Sequence, residues 1–204
     1  MQNKSFKVAL VTGGSGGIGS DICKELAKRN IKVCFTYFKN EKNAKKIIDE
    51  IKGAGGLAEA KKMDIRNIGS IKKTLDYFLK KNSKISILIN NSGISQIKSF
   101  NKISIKDWDN IININLKGPF FLTKYFLDKA NKSRWSRIIN ISSSSGIHGG
   151  KVQIHYAITK AGLISLTKSL NNIYGKKNFT INAIAPGLIN TPMIKKEINF
   201  KKRN

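Results

Sequence analysis

Residues 6–26 read FKVALVTGGSGGIGSDICKEL. A short, unbroken apolar run ends in glycines, and Ile18, Ile22 and Leu26 then recur at every fourth position. The first pattern is that of a strand buried on both faces, the second that of one apolar stripe on a helix. The glycines TGGSGGIG (12–19) stand at the join. A strand–glycine–helix join lets the backbone approach a pyrophosphate closely, and the helix N-terminus offers it unpaired N–H groups and a positive dipole end. The spacing TGxxxGxG is looser than the dinucleotide fingerprint GxGxxG, so the rest of the chain has to decide the reading.

Outward from this stretch the same alternation continues. KVCFTYF (32–38) is a β-branched and aromatic strand, and a lysine-rich helix runs from about Glu41 to Lys52 before GAGG at 53–56. LAEAKKM (57–63) is a weaker strand leading to Asp64, Ile68 to Leu79 a helix, and ISILIN (85–90) a continuous apolar strand. Helical patterns cover about 104–113, 115–131 and 155–175; WSRIINIS (135–142) and FTINAIA (179–185) are strands, the last stopped by Pro186 and Gly187. Apolar strands alternating with amphipathic helices predict a doubly wound α/β fold on a parallel sheet, with ligands beyond the C-terminal strand ends. No linker or repeat interrupts it, so a single domain over 1–204 is expected.

Composition bounds the function classes. With 40% hydrophobic and 25% charged residues the chain is neither disordered nor fibrous. Its apolar runs are too short to span a membrane, and MQNKSFKVALVTGGSGG has no secretory h-region and cleavage site. Cys23 and Cys34 make no disulfide framework and read as reduced, buried thiols, so a cytoplasmic protein is expected. No metal-ligand cluster is visible. The formal charge of +26 is carried almost wholly by lysine scattered over the chain, with arginine only at 29, 66, 134, 137 and 203. Together with abundant Asn and Ile, this points to A/T-rich coding more than to selection for nucleic acid, which is not the expected partner. A positive surface still attracts phosphorylated cofactors or an acidic carrier protein.

The stretches NNSG (90–93), NINLKG (113–118), ISSSSG (141–146), HYAITK (155–160) and PGLINTPM (186–193) fall after strands or on helices in that order. With Thr12 leading the glycine run, the chain resembles the short-chain dehydrogenase/reductase superfamily over nearly its whole length. NNSG is similar to the family's NNAG, with Ser92 in place of alanine, and Ser143 precedes Tyr156 by the family's usual 13 residues. The resemblance implies Ser143, Tyr156, Lys160 and Asn115 as catalytic residues. Asn113 is the weaker choice, because the family's NxxG pattern fits Asn115 before Gly118. It implies cofactor contacts from Thr12, Gly13, Ser15, Gly17, Ile18 and Gly19 in the loop, and from Asp64 and Ile65 after the third strand. Asn91, Ser92 and Gly93, then Tyr156 and Lys160, then Pro186, Gly187, Ile189 and Thr191 complete that set. His148 and His155 read as a loop histidine and a helix-start histidine, not as acid–base groups.

What the resemblance implies is hydride transfer between a nicotinamide cofactor and a carbonyl or alcohol. Tyr156 and Lys160, four apart, would share one helix face. A free tyrosine titrates at about 10, and a nearby ammonium lowers that value toward neutrality. Ser143 would stabilise charge on the substrate oxygen, and Asn115 would hold a water leading to Lys160. The end of the second strand, TYFKN, has no acid before Glu41, whereas Lys39 could meet a 2′-phosphate, so NADP(H) is expected over NAD(H). Many NADP-using relatives carry arginine where this chain has Gly16.

YAITKAGLISLTKSL and PGLINTPM are most similar to the 3-oxoacyl-[acyl-carrier-protein] reductase branch. The substrate expected is a small carbonyl compound, carried on acidic acyl carrier protein, in fatty-acid synthesis. Other alcohol or sugar dehydrogenases of the family, and a non-catalytic nucleotide-binding protein, remain open. A homodimer or homotetramer through the helices at about 115–131 and 155–175 is implied. Family members continue past PGxxxT into a lid helix and a seventh strand, whereas this chain stops at KKEINFKKRN. The expected sheet is therefore six-stranded, with the C-terminal part shortened.

Overall fold

In the computed structural model, residues 7–82, 84–130, 135–175 and 178–191 are described. Six strands form one parallel sheet: β1 (Lys7–Val11), β2 (Ile31–Tyr37), β3 (Ala58–Lys62), β4 (Ile87–Asn90), β5 (Ser136–Ile141) and β6 (Phe179–Ile184). Their order is β3-β2-β1-β4-β5-β6. Leu10 of β1 stands opposite Cys34 of β2 and Leu88 of β4. The chain therefore leaves β1 in one direction for β2 and β3 and in the other for β4 to β6. A crevice opens between β1 and β4 at the C-terminal strand ends.

The continuous apolar strands follow from burial of both faces. Val8 and Leu10 of β1 point into one core and Ala9 and Val11 into the other. The first core is closed by α3 (Ile68–Asn82), through Ile71, Leu75 and Phe78, and by α5 (Gly118–Ala130), through Leu122 and Phe126. The 21-residue α7 (Ile154–Tyr174) also packs there, through Leu170 and Tyr174. The second core is closed by α1 (Gly17–Lys28), through Cys23 and Ala27, and by α2 (Glu41–Gly53), through Ala44, Ile47 and Ile51. The weak third strand is an edge: β3 pairs only with β2, and its Lys61 and Lys62 are exposed.

Two local features depart from the sequence expectation. The helix expected from about 115 starts at Gly118, after α4 (Ile105–Ile112) and a π-helical turn, Asn113–Lys117. Pro119 has no N–H to give to the carbonyl four residues back, so the ladder widens just before it. His148, expected in a loop, instead ends a single helical turn, α6 (Ser145–His148). Pro192–Met193 of PGLINTPM and the stretch KKEINFKKRN lie outside the described residues. Among the described residues no helix is long and apolar enough to cross a membrane.

Candidate active site

The glycine loop is shaped by what lies beneath it. Gly13 has φ +66° and Gly17 φ +47°, backbone that favours glycine. A Cβ on Gly14 would lie 2.6 Å from Phe35 Cβ and 2.8 Å from Cys23 Sγ, and one on Gly19 would run into the Gly13 carbonyl. Thr12 is fully buried behind the loop. Its hydroxyl accepts from the backbone N–H groups of Asn91 and Ser92, both at 2.9 Å, and Asn91 Nδ2 donates to the Thr12 carbonyl at 2.9 Å. Thr12 and Gly19 thus support the loop from behind, and the Thr12 hydroxyl ties it to the segment after β4. The N-cap of α1 is Gly16, with no side-chain cap and no acid in the first turn, so the helix's positive end faces the crevice.

The crevice encloses about 770 Å³. Gly13, Ser15, Gly17, Ile18, Lys39, Asp64, Ile65, Asn91, Ser92 and Gly93 line it, and so do Ser143, Tyr156, Lys160, Pro186, Gly187, Ile189 and Thr191. Sequence positions scattered over the chain therefore converge on one cleft. Asn115 is also in place but stands behind the wall. It is fully buried in the π-helical turn, where its Oδ1 accepts from Ile94 N at 2.9 Å and its Nδ2 donates to Ile94 O at 2.8 Å.

At one end of the cleft Tyr156 and Lys160 sit one turn apart on α7, the Lys160 Nζ lying 5.6 Å from the Tyr156 ring centroid. Lys160 is only 4% exposed and donates to the Ile141 carbonyl at 2.8 Å. Burial pushes its ammonium down to about 8. The Cβ that an alanine would carry at 93 falls 3.4 Å from Asn115 Oδ1 and 3.5 Å from Lys160 Nζ. One point therefore lies within contact distance of both groups. The Ser143 Oγ accepts from Ser145 N at 3.2 Å, which leaves its O–H free to donate into the cleft. Ser142, by contrast, is buried and donates to the Lys160 carbonyl at 2.7 Å.

At the other end lie Phe38, Lys39, Asp64 and Arg66. Asp64 accepts from Arg66 Nε at 2.9 Å and from Nη2 at 2.7 Å, and this hydrogen-bonded guanidinium holds its carboxyl below the usual carboxylate range. Arg66 lies over the Phe38 ring, 5.1 Å from its centroid. Sequence reasoning passed over Arg66, although its place two residues after Asp64 was legible.

Beside the Tyr156 end a polar network sews two loops together. Ser95 Oγ donates to Gln153 Oε1 at 2.8 Å, and Lys98 N donates to Val152 O at 2.8 Å. Gln96 Nε2 donates to Asp107 Oδ1 at 2.7 Å, which turns its Oε1 toward His155 Nε2 at 2.9 Å. The buried His155 thus carries its proton on Nε2, and Nδ1 has no partner among the described residues. His155 braces the helix start. Exposed His148 closes α6.

Residues 7–202 match the short chain dehydrogenase family. The chain belongs to that family. It is accordingly an oxidoreductase acting on CH–OH and carbonyl groups. Among its relatives, 3-oxoacyl-[acyl-carrier-protein] reductase FabG of Aquifex aeolicus is 40% identical, covering 92% of this chain and 75% of the relative. Acetoacetyl-CoA reductase of Cupriavidus necator is 35% identical, covering 93% and 77%. In structure this short-chain dehydrogenase is similar to a variant actinorhodin polyketide ketoreductase solved with NADPH. The TM-score is 0.94 at 27% identity, covering 99% of this chain and 78% of that one.

Proposed function

We propose that this short-chain dehydrogenase uses NADPH to reduce the 3-oxo group of an acyl thioester carried on an acidic acyl carrier protein. The observation that carries the reading is the convergence of Ser143, Tyr156 and Lys160 on a cleft whose opposite end is a glycine loop flanked by cations. The cleft fits a dinucleotide. The loop admits a close backbone approach, the N-terminus of α1 faces the cleft, and Asp64, the only lining acid among the described residues, is already paired with Arg66. Lys39, with no acid at the end of β2, supports NADPH over NADH.

The bound nicotinamide supplies the hydride that attacks the carbonyl carbon. The chain's own residues handle the oxygen. Ser143 donates its O–H to the carbonyl oxygen and stabilises charge developing there. Tyr156 gives its phenolic proton to the same oxygen, so the product leaves as an alcohol. The Lys160 cation favours the phenolate left behind, which makes that transfer easier. Asn115 holds a water near the point shared with Lys160, through which the tyrosine regains its proton.

Exposed apolar residues on α5 and α7, among them Phe120 (45% exposed) and Ile158 (43%), support a homodimer or homotetramer through these helices. The described unit acts as one catalytic domain in the cytoplasm. The test is NADPH oxidation with acetoacetyl thioesters, on the carrier protein and on coenzyme A. Turnover that Tyr156→Phe abolishes is expected. Oxidation of sugars or polyols with no thioester reduction would replace the substrate assignment, and nucleotide binding without any turnover would remove the catalytic one.

A further inference from the structure

The residues at the Lys39 end of the cleft are unequal in their preparation for an anion. Lys39 is exposed, and its ammonium lies 5.9 Å from the Phe38 ring centroid. A lysine there is a mobile point charge that loses rotamer freedom when it binds. Arg66 is already ordered on two sides. Asp64 engages Nε and Nη2, and Phe38 lies beneath the guanidinium, which among the described residues leaves Nη1 available to a ligand. A planar guanidinium fixed in this way loses little freedom on meeting a phosphate.

Charge makes the same distinction. Of the described residues lining the cleft, the only acid is Asp64 and the cations are Lys39, Arg66 and Lys160, with Lys160 at the far end. The Arg66 side chain both brings a cation to the adenosine end and neutralises the carboxylate that would repel a phosphate dianion. Removing it costs twice: one attraction is lost and one repulsion is exposed. Removing Lys39 costs only one attraction.

We infer that Arg66, oriented by Asp64 and Phe38, is the main reader of a 2′-phosphate on the adenosine ribose, with Lys39 in a lesser part. The inference rests on the NADPH reading above and names the residue that would carry the preference. The probes are 2′,5′-ADP and 5′-AMP, which differ only in the 2′-phosphate, titrated by calorimetry into the full chain and its variants. The parent is expected to bind 2′,5′-ADP at least tenfold more tightly. Arg66→Gln is expected to remove most of that ratio while 5′-AMP still binds, which shows that the site is folded. Lys39→Gln is expected to reduce the ratio by only a few-fold. A parent with equal affinities would overturn the NADPH reading itself. A parent that prefers 2′,5′-ADP, with the ratio kept in Arg66→Gln or lost in Lys39→Gln alone, would overturn the assignment to Arg66 and leave the NADPH reading standing.

Discussion

The Nζ of Lys160 is held 2.8 Å from the carbonyl of Ile141, the last residue of β5. Helix α7 is thereby tied to the sheet by an ammonium that is 4% exposed and pushed down to about 8. Burial makes the cation less favoured in the folded state than in the unfolded one, so the unfolded chain binds more protons between about pH 8 and 10.5. Stability rises with pH across that window and is lowest below it. The shift corresponds to about 3 kcal/mol of burial cost at neutral pH, against about 1 kcal/mol for the hydrogen bond to Ile141. Lys160→Met is therefore expected to abolish turnover while its urea midpoint at pH 7 stays equal to or above the parent's. A midpoint well below the parent's would show that the lysine stabilises the fold.

Gly93 backs onto the space between Asn115 and Lys160. An alanine Cβ there would make ordinary contacts of 3.4 and 3.5 Å, so Gly93→Ala should fold with stability within about 1 kcal/mol of the parent. The methyl would fill the place of a bridging water. Turnover with cofactor saturating is expected to fall about tenfold, as one missing proton-transfer route would give. Steady-state kinetics beside a cofactor titration check this, and an unchanged kcat would argue against a water at that point.

The loop glycines separate into those that cannot change and one that can. A Cβ on Gly19 meets the Gly13 backbone, which cannot move aside as a side chain could, whereas nothing lies within 4 Å of a Cβ on Gly16, whose φ is −157°. Gly19→Ala is expected to cost about 2 kcal/mol or more and to weaken nucleotide binding. Gly16→Arg is expected to fold, to melt slightly below the parent because its cation joins the positive end of α1, and to raise the NADPH-to-NADH preference. Thermal melts and paired KM values distinguish the two.

His155 titrates against its surroundings. Burial pushes its pKa down, outweighing the upward pull of Asp107, and Lys98 adds to the fall. Asp107, held low chiefly by its hydrogen bond from Lys98, stays charged through the same range. The folded pKa of His155 lies below the unfolded value, so its contribution to stability is complete above about 6.5 and is lost as pH falls below that. Unfolding free energy should drop between pH 7 and 5, and His155→Gln should flatten that drop. An unaltered slope in the variant would place the acid sensitivity elsewhere.

Strands and helices were legible because their two periodicities come from burial, and burial here is two-sided. The cleft residues were legible through motif spacing, which marks where the chain turns back at the strand ends. Contacts made across the fold left no such mark. Nothing in the period of NINLKG announces that Pro119 widens the turn and draws Asn115 inward to bond Ile94. Nor does the sequence show that Thr12 faces away from the cleft. The ladder of Asn90 to Thr123 and Asn140, and of Asn140 to Thr167, is equally hidden. Only the pairing of β4 with β5 sets Asn90 and Asn140 side by side. Arg66 was passed over because its charge was lost among many lysines; its partner Asp64, not its composition, sets it apart.

The thiol under Gly14 gives the protein a built-in clock. Burial pushes Cys23 up to about 12, and Cys34, buried under the opposite face of the sheet, is also raised. Neither reacts as a thiolate until its own layer parts from the sheet. Alkylation of Cys23 thus times the lifting of α1 and its glycine loop, and that of Cys34 times the loosening of the other layer. A bound nucleotide, clamped over the loop, should slow the first clock more than the second, so the molecule reports which half of it breathes.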